Sequence, residues 1–208
     1  MEDILTLYTQ PEDPKRPLVC MDEVPKQLLS DVREPILAQP GQSERVDYEY
    51  QRHGVANLFM FFEPFSGQRH VKVTEKRTRL DWAEAMRELS DEIHPQAERI
   101  VVVLDNLNTH TPAAFYLAFE PDEARRLVKR FEFHFTPKHG SWLNMAEIEL
   151  SVLSRQCLKR RIPDEFTLDR EVRAWTLDRN SKVVKVDWRF STANARIKLK
   201  RLYPKIHD

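Results

Sequence analysis

Three acidic residues of this 208-residue chain stand where carboxylates could act together: Asp22, Asp105 and Glu147. Asp22 closes the apolar run Leu18–Met21, and Asp105 closes the run Ile100–Leu104. Short apolar runs of this kind read as buried strands, and groups just past strand C-termini in an α/β sheet sit where ligands bind. Glu147 falls about one turn into a helix expected from Trp142 to Leu158, with Ser141 as its N-cap. Three carboxylates brought together repel one another and raise their own pKa values. Divalent cations with oxygen ligands, such as Mg²⁺, resolve that repulsion. Two such ions about 3.5–4 Å apart activate an attacking oxygen and stabilise a leaving one in phosphodiester chemistry. Spacing alone favours helix caps and surface acids, because carboxylates are common and strand ends often carry Asp.

The elements that must position these acids follow from pattern. Residues 1–17 read as a short helix and a Pro-rich linker, and residues 24–51, with three prolines, mainly as a connection. Val55–Phe62 and Val71–Thr74 read as two strands of a hairpin joined through Glu63–Gly67, whose residues suit a turn. Leu80, Ala83, Met86, Leu89 and Ile93 recur at helical spacing. Pro121–Arg130 is a helix with acids in its first turn, and Phe131–Phe135 alternates as a strand. A helix is expected from Pro163 to about Leu177, an extended arm or short strand over 183–190, and a basic helix over 192–202. An antiparallel start followed by parallel strands, with helices between, is the order of a ribonuclease H-like fold: a mixed five-stranded sheet flanked by helices.

Charge is unevenly spread around a net of zero. Residues 1–50 carry a net of −6, residues 51–150 a net of −2, and residues 151–208 a net of +8. A basic end suits an anionic partner, or else a solvated surface. No apolar run approaches the roughly 20 residues a membrane helix needs, and the N-terminus has acids where a signal peptide has bases; a cytoplasmic protein is expected. Cys20 and Cys157 lie in apolar patterns with no C-x-x-C pair, so inert buried thiols are expected. No phosphate-binding G-x-x-x-x-G-K-[ST] loop and no G-x-S-x-G elbow is present.

Three blocks of sequence resemble the mariner-like superfamily of DDE transposases, in its bacterial insertion-sequence branch. They are Val19-Cys-Met-Asp-Glu23, Val103-Leu-Asp-Asn-Leu-Asn-Thr-His110, and Thr136-Pro-Lys-His-Gly-Ser-Trp-Leu-Asn-Met-Ala-Glu147. The third is the most specific, and the resemblance runs from about residue 17 to 204. It implies a ribonuclease H-like catalytic domain over 18–160, preceded by the lead-in of 1–17 and followed by a basic helical C-terminal extension over 161–208 packed on the same domain. It implies metal-dependent strand cleavage and strand transfer during DNA transposition, with Asp22, Asp105 and Glu147 as ligands of two Mg²⁺ or Mn²⁺ ions. The interval from Asp105 to Glu147 is longer than in mariner-type elements, which fits an extra turn or helix around residues 112–130. Glu149 competes with Glu147, because two residues along a helix rotate by about 200° and put them on different faces; the Leu-Asn-x-x-Glu match favours Glu147.

Around the acids, Asn106, His110 and Asn144 are candidates to orient a ligand or meet phosphate, with turn-stabilising, capping and packing roles as the alternatives. Lys138 and His139 precede the Glu147 helix and are candidates for DNA contact, as are Lys159, Arg160 and Arg161 just after it. Trp142 could stack on a base or belong to the core. The resemblance further implies DNA as partner, both element ends and target, a homo-oligomer when active, and nucleoid association in a bacterium. Transposases of this kind carry helix-turn-helix modules upstream. Only about 18 residues precede the first strand here, so an upstream-encoded helix-turn-helix subunit or a missing N-terminal region is expected. The competing readings are a truncated or inactive remnant that only binds DNA, and a metal-dependent nuclease of the same fold.

Overall fold

The computed structural model describes residues 1–34, 36–43, 45, 47–107 and 110–203. The chain opens with α1 (Glu2–Leu7), followed by β1 (Leu18–Asp31), β2 (Tyr50–Phe62), β3 (Arg69–Thr74) and α2 (Arg79–Glu88), which ends in a π turn (Leu89–Ile93). Next come β4 (Ile100–Leu104), α3 (Ala113–Ala118), α4 (Pro121–Arg130), β5 (Phe131–Phe135) and a 3₁₀ turn (Ser141–Leu143). The chain continues through α5 (Met145–Gln156), α6 (Glu165–Ser181), α7 (Thr192–Lys198) and a last 3₁₀ turn (Lys200–Leu202).

The five strands form one sheet in the order β3-β2-β1-β4-β5. β1, β2 and β3 are antiparallel neighbours, whereas β4 is parallel to both β1 and β5. This is the mixed sheet expected from the sequence. Every residue of β4 (Ile-Val-Val-Val-Leu) is buried, as a central parallel strand covered on both faces requires. Alternation along β1 sends Leu18 and Cys20 to one core layer and Val19 and Met21 to the other. The first layer is closed by α1, α5, α6 and α7, through residues such as Ile4, Leu153, Val172 and Ala195. The second is closed by α2, α3 and α4, through Trp82, Phe115 and Leu127. Thr78 begins α2 with a capping box, its side chain accepting from Asp81 N while Asp81 accepts from Thr78 N. α4 begins with Pro121 and two acids and ends with Lys129 and Arg130, a charge order that complements the helix dipole.

One stretch departs from the sequence expectation. Residues 24–31 continue β1 and residues 50–54 begin β2, so the expected connection is largely a long hairpin arm. Asp22 therefore lies within a strand rather than at its exit. β1 tolerates Pro25 because parallel pairing with β4 stops at Cys20. Beyond that point β1 has a strand neighbour on one side only, and proline is compatible with such an edge. The arm is fastened from the α5–α6 connection. Lys26 Nζ donates to Leu158 O at 2.6 Å, Leu29 N donates to Ile162 O at 2.8 Å, and Arg161 pairs with Asp31.

Smaller differences concern ends. Over 183–190 the chain forms no strand, and Val183 turns with a left-handed φ of 48°. The extra helix anticipated near 112–130 is α3 together with α4. No helix is long and apolar enough to cross a membrane among the described residues. Cys20 is buried and Cys157 half-buried, both unpaired with each other; burial pushes the Cys20 thiol up to about 11, consistent with an inert side chain.

Candidate active site

The sheet order creates the site. From β1 the chain builds outward through β2 to β3, then returns to add β4 and β5 on the opposite side of β1. The gap between β1 and β4 is therefore a topological switch point, and crevices at such points bind ligands. Parallel pairing across this gap covers only Leu18↔Val101 to Cys20↔Val103. Asp22 and Asp105 each follow that last pair by two residues, so they lie level with one another where the strands part. Asp22 has the same strand parity as Cys20 and faces the layer closed by α5, whereas Glu23 shares the parity of Met21 and faces the layer containing Trp82.

Glu147 reaches the same place from α5. The turn before this helix is tight: Gly140 N donates to Pro137 O at 2.8 Å, and a Cβ on Gly140 would lie 2.6 Å from Pro137 Cγ. Asn144, not Ser141, caps α5, because Ser141–Leu143 turn as a 3₁₀ segment first. Asn144 is buried; its Oδ1 accepts from Ala146 N at 3.1 Å and its Nδ2 donates to Met21 O at 2.7 Å. One side chain thus fixes the start of the Glu147 helix to the residue before Asp22. Tyr8 adds a second tie, donating to Leu143 O at 2.6 Å.

The electrostatics record this gathering of charge. Burial, opposed by a 2.8 Å hydrogen bond from Glu23 N and reinforced by the negative charges of Asp105, Glu147 and Glu23, pushes Asp22 up to about 7. His110 is fully buried, with Nδ1 2.8 Å from Asp105 Oδ1 and Nε2 2.8 Å from Glu23 Oε2. Burial disfavours a charged ring, but the hydrogen bonds to Asp105 and Glu23 outweigh it and push His110 up to about 9. Carboxylates offer only acceptors, so a ring between two of them donates from both nitrogens as imidazolium. Its flat face rests on Trp82, with ring centroids 5.6 Å apart. Arg77 Nη1 stands 3.5 Å from Glu23 Oε1. Glu23 is the one acid of this group not among the candidates read from the sequence; its adjacency to Asp22 was visible, but not its bond to a ring 87 residues away.

The remaining candidates separate by environment. Glu149 is buried away from the crevice, its Oε2 2.9 Å from Arg69 Nε and its Oε1 3.0 Å from Arg179 Nη2. The Arg69 contact is an ion pair not aligned as a hydrogen bond; that guanidinium instead donates to Asn180 Oδ1 and Val184 O. Asn106 is exposed, and Asn108 and Thr109 of the second block lie outside the described residues. Lys138 and His139 are exposed, with His139 at a left-handed φ of 62°. Lys159 is exposed, and Arg160 is exposed beside Glu171 at 2.7 Å. Arg161 is engaged within the chain: its guanidinium is turned into the hairpin arm, onto Asp31, Asp47 O and Glu49 O, with Tyr50 beneath it at 5.4 Å. Trp142 is 40% exposed and stacks on Trp188, so it is a surface aromatic and not a core residue. The described part of the extension carries pairs such as Arg173–Asp169 and Lys182–Asp178, which neutralise part of its positive charge.

Among the described residues, no group of three or more His, Cys, Asp or Glu side chains is closed into metal-holding geometry. The donor chemistry nevertheless fits a hard divalent cation: all-oxygen carboxylate ligands in a partly buried crevice, where burial first and neighbouring negative charge second raise the pKa of Asp22.

The fold is shared with solved transposase complexes. The Mos1 mariner paired end complex with Mn matches with a TM-score of 0.59 and 16% identity over 88% of this chain and 54% of that one. The Mos1 strand transfer complex matches at 0.58 and 15%, covering 88% and 55%. The Mos1 paired-end complex with left transposon end matches at 0.57 and 15%, with the same coverage. The chain thus spans about half the length of these proteins and has their ribonuclease H-like fold. No curated protein sequence gives a significant match. Residues 17–169 match the profile of the DDE superfamily endonuclease, and the chain belongs to that family.

Proposed function

We propose that this chain is the catalytic domain of a transposase, cutting and joining DNA strands with Asp22, Asp105 and Glu147 as the metal-holding acids. The observation that supports the reading is the level placement of Asp22 and Asp105 where β1 and β4 part, with Asp22 pushed up to about 7 first by burial and further by the negative charges of Asp105 and Glu147. Membership of the endonuclease family supports divalent-metal use; the finer assignment is two Mg²⁺ or Mn²⁺ ions on these three residues. When bound, such ions activate the attacking oxygen and stabilise the leaving oxygen of a phosphodiester.

The chain's own groups supply orientation. Asn144 sets the distance between Glu147 and Asp22 by tying the α5 N-terminus to β1. His110 holds one oxygen of Asp105, leaving Oδ2 without a hydrogen bond among the described residues. Lys138, His139, Lys159 and Arg160 are exposed on the two segments flanking α5 and are assigned to the DNA backbone, where cations set register without reading sequence. The solved relatives that hold paired ends motivate a further expectation, that this chain also works as an assembly on two DNA ends.

The test is cleavage of supercoiled DNA and of element-end DNA in Mg²⁺, Mn²⁺ or EDTA. Cleavage is expected only with a divalent cation and is lost in Asp105→Asn. Wild-type cleavage by Asp105→Asn, or cleavage in EDTA, overturns the proposal. Joined products mark a transposase; hydrolysis without joining marks a nuclease of the same fold.

A further inference from the structure

We propose that Glu23 and His110 are positioning residues: Glu23 fixes the His110 ring, and the ring fixes the carboxylate of Asp105 for metal binding. This rests on the reading of Asp105 as a metal ligand, and it adds a fourth carboxylate that acts from behind the site.

The geometry leaves the ring little freedom. His110 is fully buried, each nitrogen is 2.8 Å from a carboxylate oxygen, and Trp82 covers one face. The two anchors belong to different elements, Glu23 to β1 and Asp105 to the end of β4. The ring therefore bridges the strands above Cys20↔Val103, where their own hydrogen bonding has stopped. Without such a bridge, the segment after Leu104 would be tied to β1 only by the short pairing below. Glu23 cannot itself share the face of Asp22, because adjacent strand residues point to opposite sides. Its Oε2 is occupied by the ring and its Oε1 faces Arg77 at 3.5 Å. Glu23 thus holds a ring rather than a substrate. Partners that orient a ligating carboxylate or imidazole from outside commonly alter metal affinity by about 10- to 100-fold when removed.

The experiment measures Mn²⁺ affinity of the full chain without DNA, by titration calorimetry or by the free-Mn²⁺ resonance signal, with melting temperature in EDTA measured for each variant. Glu23→Ala is expected to raise the Mn²⁺ Kd about 10- to 100-fold. Glu23→Gln retains an acceptor for the ring and is expected to restore most of the affinity. His110→Phe keeps the stack on Trp82 but loses both hydrogen bonds, and is expected to match Glu23→Ala; it also carries the test if Glu23→Ala does not fold. In the double variant, Glu23→Ala adds nothing to His110→Phe, the non-additivity of residues acting through one another. Wild-type affinity in His110→Phe overturns the proposal even if Glu23→Ala is weak, because Glu23 then acts directly. So does a Gln variant as weak as Ala, since hydrogen bonding to the ring is then not the agent. Asp105→Asn is the control: if it binds Mn²⁺ as tightly as the wild type, the underlying metal assignment fails, whereas its loss alongside an unaffected Glu23→Ala rejects only this inference.

Discussion

Asn144 Nδ2 donates a 2.7 Å hydrogen bond to Met21 O, so the helix that carries Glu147 is fixed one residue from Asp22. The same side chain caps α5 through Ala146 N. Both bonds are buried, and neither donor nor acceptor has water to fall back on. Asn144→Ala is expected to destabilise the fold by about 2 kcal/mol, combining a lost N-cap with an unmet buried carbonyl. Asn144→Asp keeps the cap acceptor but loses the donor, and sets a carboxylate against the Met21 carbonyl. Its DNA cleavage should fall at least as far as that of Asn144→Ser, which also keeps a cap. Denaturant unfolding and cleavage rates check this; an unchanged cleavage rate in Asn144→Ala would remove the link between the cap and Glu147.

Glu147 and Glu149 differ by two positions and by everything else. Glu147 is half-buried in the first turn of α5 and near enough to Asp22 to raise its pKa. Glu149 is buried between Arg69 and Arg179. Glu147→Gln is expected to abolish cleavage with an unchanged melting temperature. Glu149→Gln removes the charge opposing the fully buried Arg69 and is expected to cost about 3 kcal/mol of stability, while protein that remains folded still cleaves. Thermal melts beside single-turnover cleavage separate the two; a Glu147→Gln protein that cleaves normally removes Glu147 from the site.

The contrast between these neighbours shows what was legible in the chain. β4 could be read directly, because five consecutive apolar residues between polar flanks leave few alternatives. Asp22, Asp105 and Glu147 were nominated through local blocks that each include their element. Glu149's role was not, because Arg69 and Arg179 are 80 and 30 residues away and no periodicity reports them. The hairpin arm was missed for a different reason. Its prolines and polar residues are poor strand formers, and the arm is held by one-sided strand pairing, by its own Lys26 reaching out to the α5–α6 connection, and by Arg161 reaching in from that connection.

The level placement of Asp22 and Asp105 makes the site sensitive to reach. Asp22→Glu preserves charge but extends the carboxylate by one C–C bond, about 1.5 Å. Misplacement on that scale can reduce turnover by about 10²-fold. Asp22→Glu is therefore expected to fold with near wild-type stability and to cleave at about a hundredth of the wild-type rate. Full activity would mean that Asp22 is not held at a fixed distance from the reacting groups.

Lys159 and Arg161, two residues apart, should fail in different ways. Lys159 is exposed and has no ion pair among the described residues. If it meets a DNA phosphate, Lys159→Ala lowers affinity about equally for all sequences and reduces the slope of log affinity against log salt by about 1, through counterion release. Lys138→Ala is expected to behave the same way. Arg161 is committed to Asp31 and to the carbonyls of Asp47 and Glu49. Arg161→Ala should leave the salt slope unchanged and loosen the arm, raising amide hydrogen exchange over residues 24–31 and 50–55. Fluorescence titrations over a range of salt, beside exchange measurements on the free chain, distinguish the two. A reduced salt slope in Arg161→Ala, with exchange in the arm unaltered, would return Arg161 to the DNA-binding surface.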